Sequence, residues 1–324
     1  AWRPADQVII VMHGQGRDAD RYIAQWAPQA EATGLLVIAP EFSQRKYPGV
    51  AAYNWGNVVT EAGTPNPPEA WIFGAIDRIW AAAREKTGAT QAGYALFGHS
   101  AGAQFVHRYL LLAEASQATT IITANAGSYT MPDRAIGFPF GLGNTSVTDA
   151  MLARALARPV TVLLGSEDID PNHPALPRQP GAMAQGQHRL ARGMLFFAKA
   201  REAATRLGVR FTWRLETVPG IAHDNSGMAA RAATIARSTT PPPPAWPASA
   251  AACSSMRIPI PPVRCPRSSP SDRRPRSASA RSRATRRRPC ATWPSISSAR
   301  TGTRSASTYR SAGRWSRTPA SAAT

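Results

Sequence analysis

Cysteine is missing from the first 252 residues; the three that the chain has, Cys253, Cys265 and Cys290, all lie beyond that point. The front of the chain therefore has no disulfide framework and no cysteine metal site, and its redox compartment stays open. No stretch of 18 apolar residues occurs, and no charged-then-apolar leader precedes the first strand-like run, which argues against a membrane span and a signal peptide. The chain opens at Ala1 without Met, so it reads as a truncated fragment, cytoplasmic or secreted with its leader lost. Its end lacks far more. From Ser238 to Thr324 there is no Leu, Phe, Lys, Glu, Gln, Asn or His, and 16 arginines face one acid, Asp272. A folded segment of 87 residues needs leucine or phenylalanine for a core, so residues 238–324 are expected to be a disordered Arg/Ser/Pro/Ala tail. The residues kept are those with GC-rich codons, the composition expected of out-of-frame or read-through translation. A polybasic nucleic-acid-binding tail is the alternative reading.

Most of the net charge of +19 belongs to that tail, and residues 1–237 carry only about +4, an ordinary balance for a soluble protein. Nucleic-acid binding thus rests on the tail alone. Within residues 1–237 short apolar runs alternate with helical periodicity. The runs Gln7–Met12, Leu35–Ala39, Tyr94–Phe97, Thr120–Thr123, Val160–Leu164 and Arg210–Val218 have the length and side chains of buried strands. Helices are expected over about 18–33, 69–86, 101–113, 187–207 and 225–237, the second from the spacing of Trp71, Ile72, Ala75, Ile76, Ile79 and Trp80. Residues 125–158, rich in Gly, Pro and aromatics, read as an insertion over the top of the sheet. Strand and helix alternate with crossovers long enough for parallel pairing, which predicts an α/β fold with a doubly wound, mostly parallel sheet and helices on both faces.

The stretch Tyr94-Ala95-Leu96-Phe97-Gly98-His99-Ser100-Ala101-Gly102 passes from apolar strand to helix through a Gly-x-Ser-x-Gly pentad. That is the pattern of a nucleophile elbow, in which Ser100 sits on a sharp turn and the glycines allow strand and helix to approach. A serine needs a base, and the base an orienting acid. Of the six histidines, His223 alone lies in a short loop after the final strand, while His107, two helical turns past the serine, suits packing better. The acid is expected after the strand Val160–Leu164, where Asp168 is the first choice, Asp170 the second and Glu167 the third. The order Ser100, Asp168, His223 is that of α/β hydrolases. Oxyanion donors are expected at the N–H groups of Ala101 and of Gln15, in the loop His13-Gly14-Gln15-Gly16. Tyr53, Trp55, Tyr129, Phe138 and Phe140 lie on loops suited to wall an acyl pocket, with plain packing as the competing role. No histidine–carboxylate cluster has ligand spacing, so neither metal nor other cofactor is expected.

With these motifs and with Gly165-Ser166-Glu167-Asp168 and Val218-Pro219-Gly220-Ile221-Ala222-His223-Asp224, residues 7–237 resemble the α/β-hydrolase superfamily, and within it the poly(3-hydroxybutyrate) depolymerase-like esterases. The resemblance implies a serine hydrolase of carboxylic esters, hydroxyalkanoate esters included, acting on a small or polymeric ester without a membrane or nucleic-acid partner. It does not extend to the tail. The strands that usually precede the first one are missing, as is a separate polymer-binding domain. A peptidase or thioesterase on the same three residues, and a non-catalytic binding protein on the same fold, are the competing readings.

Overall fold

The apolar runs pair into one sheet. In the computed structural model, which describes residues 2–113 and 117–238, six strands are ordered β2-β1-β3-β4-β5-β6, every pair parallel. The strands are β1 (Val8–Met12), β2 (Leu36–Ile38), β3 (Tyr94–His99), β4 (Ala118–Ala124), β5 (Val160–Gly165) and β6 (Arg214–Val218). The tail, its three cysteines and its expected disorder lie outside the described residues. All described residues belong to the unit formed by residues 1–251.

Strand alternation divides the core. Ile9, Val11, Phe97, Ile122 and Leu163 face one layer, made by α1 (Ala19–Thr33) and α7 (Asn225–Ser238). Val8, Ile10, Met12, Leu96, Ile121 and Val162 face the other, with α2 (Gly74–Thr87), α3 (Ala101–Leu112), α4 (Asp149–Leu156) and α6 (Arg189–Leu207). Both faces are covered, as a parallel sheet requires, and the strands are apolar throughout where they are central. The chain steps outward from β1 to β2 and then returns to the far side of β1 for β3. This reversal opens a crevice at the carboxyl ends of β1 and β3, where ligands of doubly wound sheets bind.

Three local expectations change. The periodic stretch starting at Glu69 is a 3₁₀ turn, Pro68–Ala70, followed by three non-helical residues, and α2 begins only at Gly74. Trp71 and Ile72 are drawn off the helix by tertiary bonds: the Trp71 indole donates to Asn66 O (3.1 Å) and the Ile72 N–H to Gly56 O (3.0 Å). The last strand starts at Arg214 rather than Arg210. The insertion after β4 ends in a helix, α4, and the loop before α6 carries the short α5 (Pro180–Met183). Elsewhere helix ends follow local signals, as at Gly34, which caps α1 in the left-handed conformation (φ 70°) and donates to Ala30 O.

Candidate active site

Ser100 stands between β3 and α3 with φ 58° and ψ −114°, a backbone conformation that side-chain-bearing residues seldom adopt. The turn is held by the Ser100 N–H to Ala124 O (3.0 Å) and by the Gln104 N–H to Ser100 O (3.1 Å). The flanking glycines are required by contact. A Cβ on Gly98 would lie 2.3 Å from Gly102 O, and one on Gly102 would lie 2.1 Å from Met12 O of the neighbouring strand.

The three residues chosen from separate strand ends converge. His223 Nε2 is 3.0 Å from Ser100 Oγ, and His223 Nδ1 is 2.8 Å from Asp168 Oδ2. Asp168 is 2 % exposed. Asp170 and Glu167 are exposed and bond locally, to the Asn172 N–H (2.8 Å) and the Ser166 hydroxyl (3.0 Å), so neither reaches the imidazole. Ala101 opens α3, which leaves its N–H without an intrahelical acceptor beside the positive end of the helix. The loop after β1 brings Gly14 against Ser100, a Cβ built there lying 3.8 Å from that of the serine, and the next N–H, of Gln15, has no hydrogen-bond partner among the described residues.

The aromatic expectations divide. Trp55 is half-buried and, with Phe140, lines a cavity that Gln15 also borders. Tyr53 and Tyr129 are not site residues, because both are wholly buried. The Tyr53 hydroxyl donates to His13 O (2.8 Å) at the start of the loop after β1, and Tyr129 stacks on Phe196 with ring centres 4.6 Å apart. Phe138 packs at the edge of the core, beneath the guanidinium of Arg108. His107 is a structural residue: its Nδ1 faces Ala103 O (2.8 Å), its Nε2 accepts from the Thr130 N–H (2.9 Å), and burial pushes its pKa well down.

Several partners had escaped sequence reasoning. Arg189, at the start of α6 and 1 % exposed, donates from Nη1 to the second carboxylate oxygen of Asp168 (3.2 Å) and from Nη2 to His173 Nδ1 (3.1 Å). Burial lowers its pKa while Asp168 opposes the shift, so the buried charge is kept by an ion pair. His173 stands edge-on to His223 at 5.2 Å between ring centres, and His99 is tilted against its other side at 4.6 Å. His99 accepts or donates one bond with the Tyr22 hydroxyl (3.1 Å) and is driven to the neutral form chiefly by burial, then by His223 and by the cations Arg189 and Arg21. Asn125, just past β4, joins the two loops that carry Asp168 and His223. Its Oδ1 accepts from the Gly165 N–H (2.9 Å) and its Nδ2 donates to Ala222 O (3.3 Å). The only sequence signal for Asn125 was an amide placed directly after a buried strand; for Arg189 there was none. Among the described residues no group of three or more His, Cys, Asp or Glu side chains is arranged to hold a metal, and no helix is long and apolar enough to cross a membrane.

A parallel sheet of this order with a strained serine at the strand-to-helix turn after β3 is the architecture of an α/β hydrolase. No protein-family model and no curated protein matches the chain. Among solved structures it is similar to poly(aspartic acid) hydrolase-1 from Sphingomonas sp. KT-1, with 43 % identity over 72 % of this chain and 89 % of that one and a TM-score of 0.70. It is also similar to LpqC, a poly(3-hydroxybutyrate) depolymerase from Bordetella parapertussis, with 38 % identity over 72 % of this chain and 81 % of that one and a TM-score of 0.68. The chain belongs to the α/β-hydrolase superfamily and, within it, to the poly(3-hydroxybutyrate) depolymerase-like esterases.

Proposed function

We propose that this protein, a carboxylic ester hydrolase by its family, works through a serine acyl-enzyme. Ser100 Oγ attacks the substrate carbonyl as its proton passes to His223 Nε2. Asp168 holds the Nδ1 proton and stabilises the imidazolium that forms. The N–H groups of Ala101 and Gln15 receive the oxyanion, whose charge also meets the positive end of α3. His223 then returns the proton to the departing alcohol, and a water deprotonated by the same ring releases the acid. The single observation that carries this reading is the continuous hydrogen-bond chain from Ser100 Oγ through both imidazole nitrogens to a buried carboxylate, 3.0 and 2.8 Å long. Hydroxyalkanoate esters are the favoured substrates, by analogy with the depolymerase relative. The catalytic domain is assigned to residues 1–237, with 238–324 as an appended low-complexity tail.

The test is labelling of the purified full chain by a fluorophosphonate, together with turnover of a panel of simple esters. Labelling and ester turnover that both vanish in Ser100→Ala are expected; a folded protein that neither labels nor hydrolyses any ester overturns the reading. Amide hydrolysis on the same residues is a second reading, favoured by the 43 % identity to a poly(aspartic acid) hydrolase, since that polymer is joined by amide bonds. Peptide anilides and acyl thioesters in the panel separate it from esterase and thioesterase activity.

A further inference from the structure

Beside the reaction centre lies a cavity of about 310 Å³ whose polar lining the acyl-transfer chemistry does not use. It is bordered by Gln15, which carries the proposed oxyanion N–H, and by Gln104, one helical turn past Ser100. Its inner wall holds three polar residues that are all but withdrawn from solvent: Asn54, 4 % exposed, Gln104, 5 %, and Ser128, 2 %. Their hydrogen bonds are incompletely spent. Ser128 Oγ donates to Gln104 Oε1 (3.2 Å), which fixes the orientation of that amide and leaves both Nε2 protons without an acceptor among the described residues. The Asn54 carboxamide has no hydrogen-bond partner among the described residues, although the backbone O of the same residue accepts from Arg108 (3.2 Å). These atoms are not sealed in the interior but open onto the cavity.

The charge of the lining is one-sided. Arg178 stands at the rim, donating from Nη2 to Pro171 O (3.0 Å) with the rest of its guanidinium uncommitted, and no acid lines the cavity. The Gln104 Nε2 and Asn54 Nδ2 donors inside, with a cation at the mouth and Asn54 Oδ1 as the one free amide acceptor, suit a group that accepts hydrogen bonds and carries negative charge. Trp55 supplies an apolar wall for the short carbon chain leading to it.

We propose that this cavity is a carboxylate-recognition subsite, in which Asn54, Gln104 and Arg178 bind a carboxylate on the substrate a few bonds from the scissile carbonyl. Among short esters the subsite then favours those with a free carboxylate on the acyl chain, such as half-esters of dicarboxylic acids, over neutral esters of the same length. This proposal rests on the serine hydrolase reading above.

The experiment compares kcat/KM for monoethyl succinate, diethyl succinate and ethyl butyrate by pH-stat on the full chain, with ethyl acetate turnover and fluorophosphonate labelling normalising each variant for folding and for an intact reaction centre. Monoethyl succinate is expected to exceed both of the others by about tenfold, the usual worth of a charge-assisted hydrogen bond. Gln104→Leu and Asn54→Leu are expected to bring the three rates to within about threefold of one another. Arg178→Met is expected to weaken only the preference over the neutral diester. A half-ester that is no better than the diester, or a preference that survives all three substitutions, overturns the subsite while leaving the hydrolase reading intact. Loss of ethyl acetate turnover and labelling in the parent chain would instead overturn the hydrolase reading.

Discussion

The two walls that meet at Ser100 use their polar groups in opposite ways. On the His223 side the bonds converge on the residues that meet Ser100: Asp168 receives bonds on both oxygens, Arg189 links it to His173, and Asn125 ties Gly165 to Ala222, while Arg189 Nε and His99 Nε2 stay buried without a partner among the described residues. On the Gln104 side the carboxamides of Asn54 and Gln104 keep donors in reserve. On the readings proposed above, the first wall positions the reacting groups and the second recognises the substrate.

Removing a partner from the first wall should cost rate wherever the partner sits. The largest effect is expected for Asp168→Asn, which offers His223 a neutral amide in place of a carboxylate. Steady-state kinetics should show kcat reduced on the order of 10⁴-fold with KM little changed. A loss below about tenfold would mean that Asp168 does not orient the base.

Arg189→Met comes next. It takes the cation from Asp168 Oδ1 and the hydrogen bond from His173 Nδ1, freeing the carboxylate that holds His223. Steady-state kinetics should show kcat reduced about tenfold with KM little changed, and Arg189→Lys should recover part of that loss, which loosened packing alone would not produce. The same variant strands a buried charge, and urea unfolding should show a loss of about 3 kcal/mol. His99 and His173, which flank the same ring, also lose the Arg189 charge in this variant, and His173 loses its hydrogen bond as well.

Asn125→Ala should act more gently, leaving the buried Gly165 N–H without its acceptor at a cost of about 1–3 kcal/mol. Because it loosens the loops of acid and base together, kcat should fall about tenfold while labelling by the fluorophosphonate persists but slows. An unchanged kcat with reduced stability would confine Asn125 to a folding role.

A further effect is spread over pH. Burial holds His99 and His107 well below the ordinary imidazole pKa, so below about pH 6.5 the unfolded chain takes up protons that the folded one refuses. Stability is therefore fully present above the unfolded value and falls as pH drops, by about 1.4 kcal/mol per pH unit for each such ring. The sequence of urea midpoints from pH 7 to pH 5 measures it. In His107→Gln, which keeps an amide in place of the ring, the slope should be shallower by one histidine's share; an identical slope would show that His107 is not among the groups responsible.

How much of this could be read before folding differs from residue to residue. Six strands and the elbow were legible because each rests on local patterns: a short apolar run, or two glycines bracketing a serine between strand and helix. The choice of Asp168 over Asp170 was legible only as a preference, two residues being too little separation for periodicity to decide. Tyr53 and Tyr129 were misjudged because an aromatic in a Gly- and Pro-rich loop looks the same whether it lines a cavity or fills the core. Trp71 and Ile72 kept helical spacing yet left the helix, since bonds to Asn66 and Gly56, made across the fold, outweighed propensity. Arg189, Asn125 and Gln104 left no usable sign, as charged and amide side chains belong by default to the surface.

By itself, then, the sequence determined the alternation that makes a parallel sheet and the three positions at strand ends that the sheet's topology gathers at one edge. Backbone hydrogen bonding and strand register impose that gathering wherever such runs occur. Only the tertiary structure decided which carboxylate faces the imidazole, which cation that carboxylate shares, and which buried amides remain unpaired. Those outcomes depend on distances of about 3 Å between residues far apart in the chain, and no local pattern encodes them.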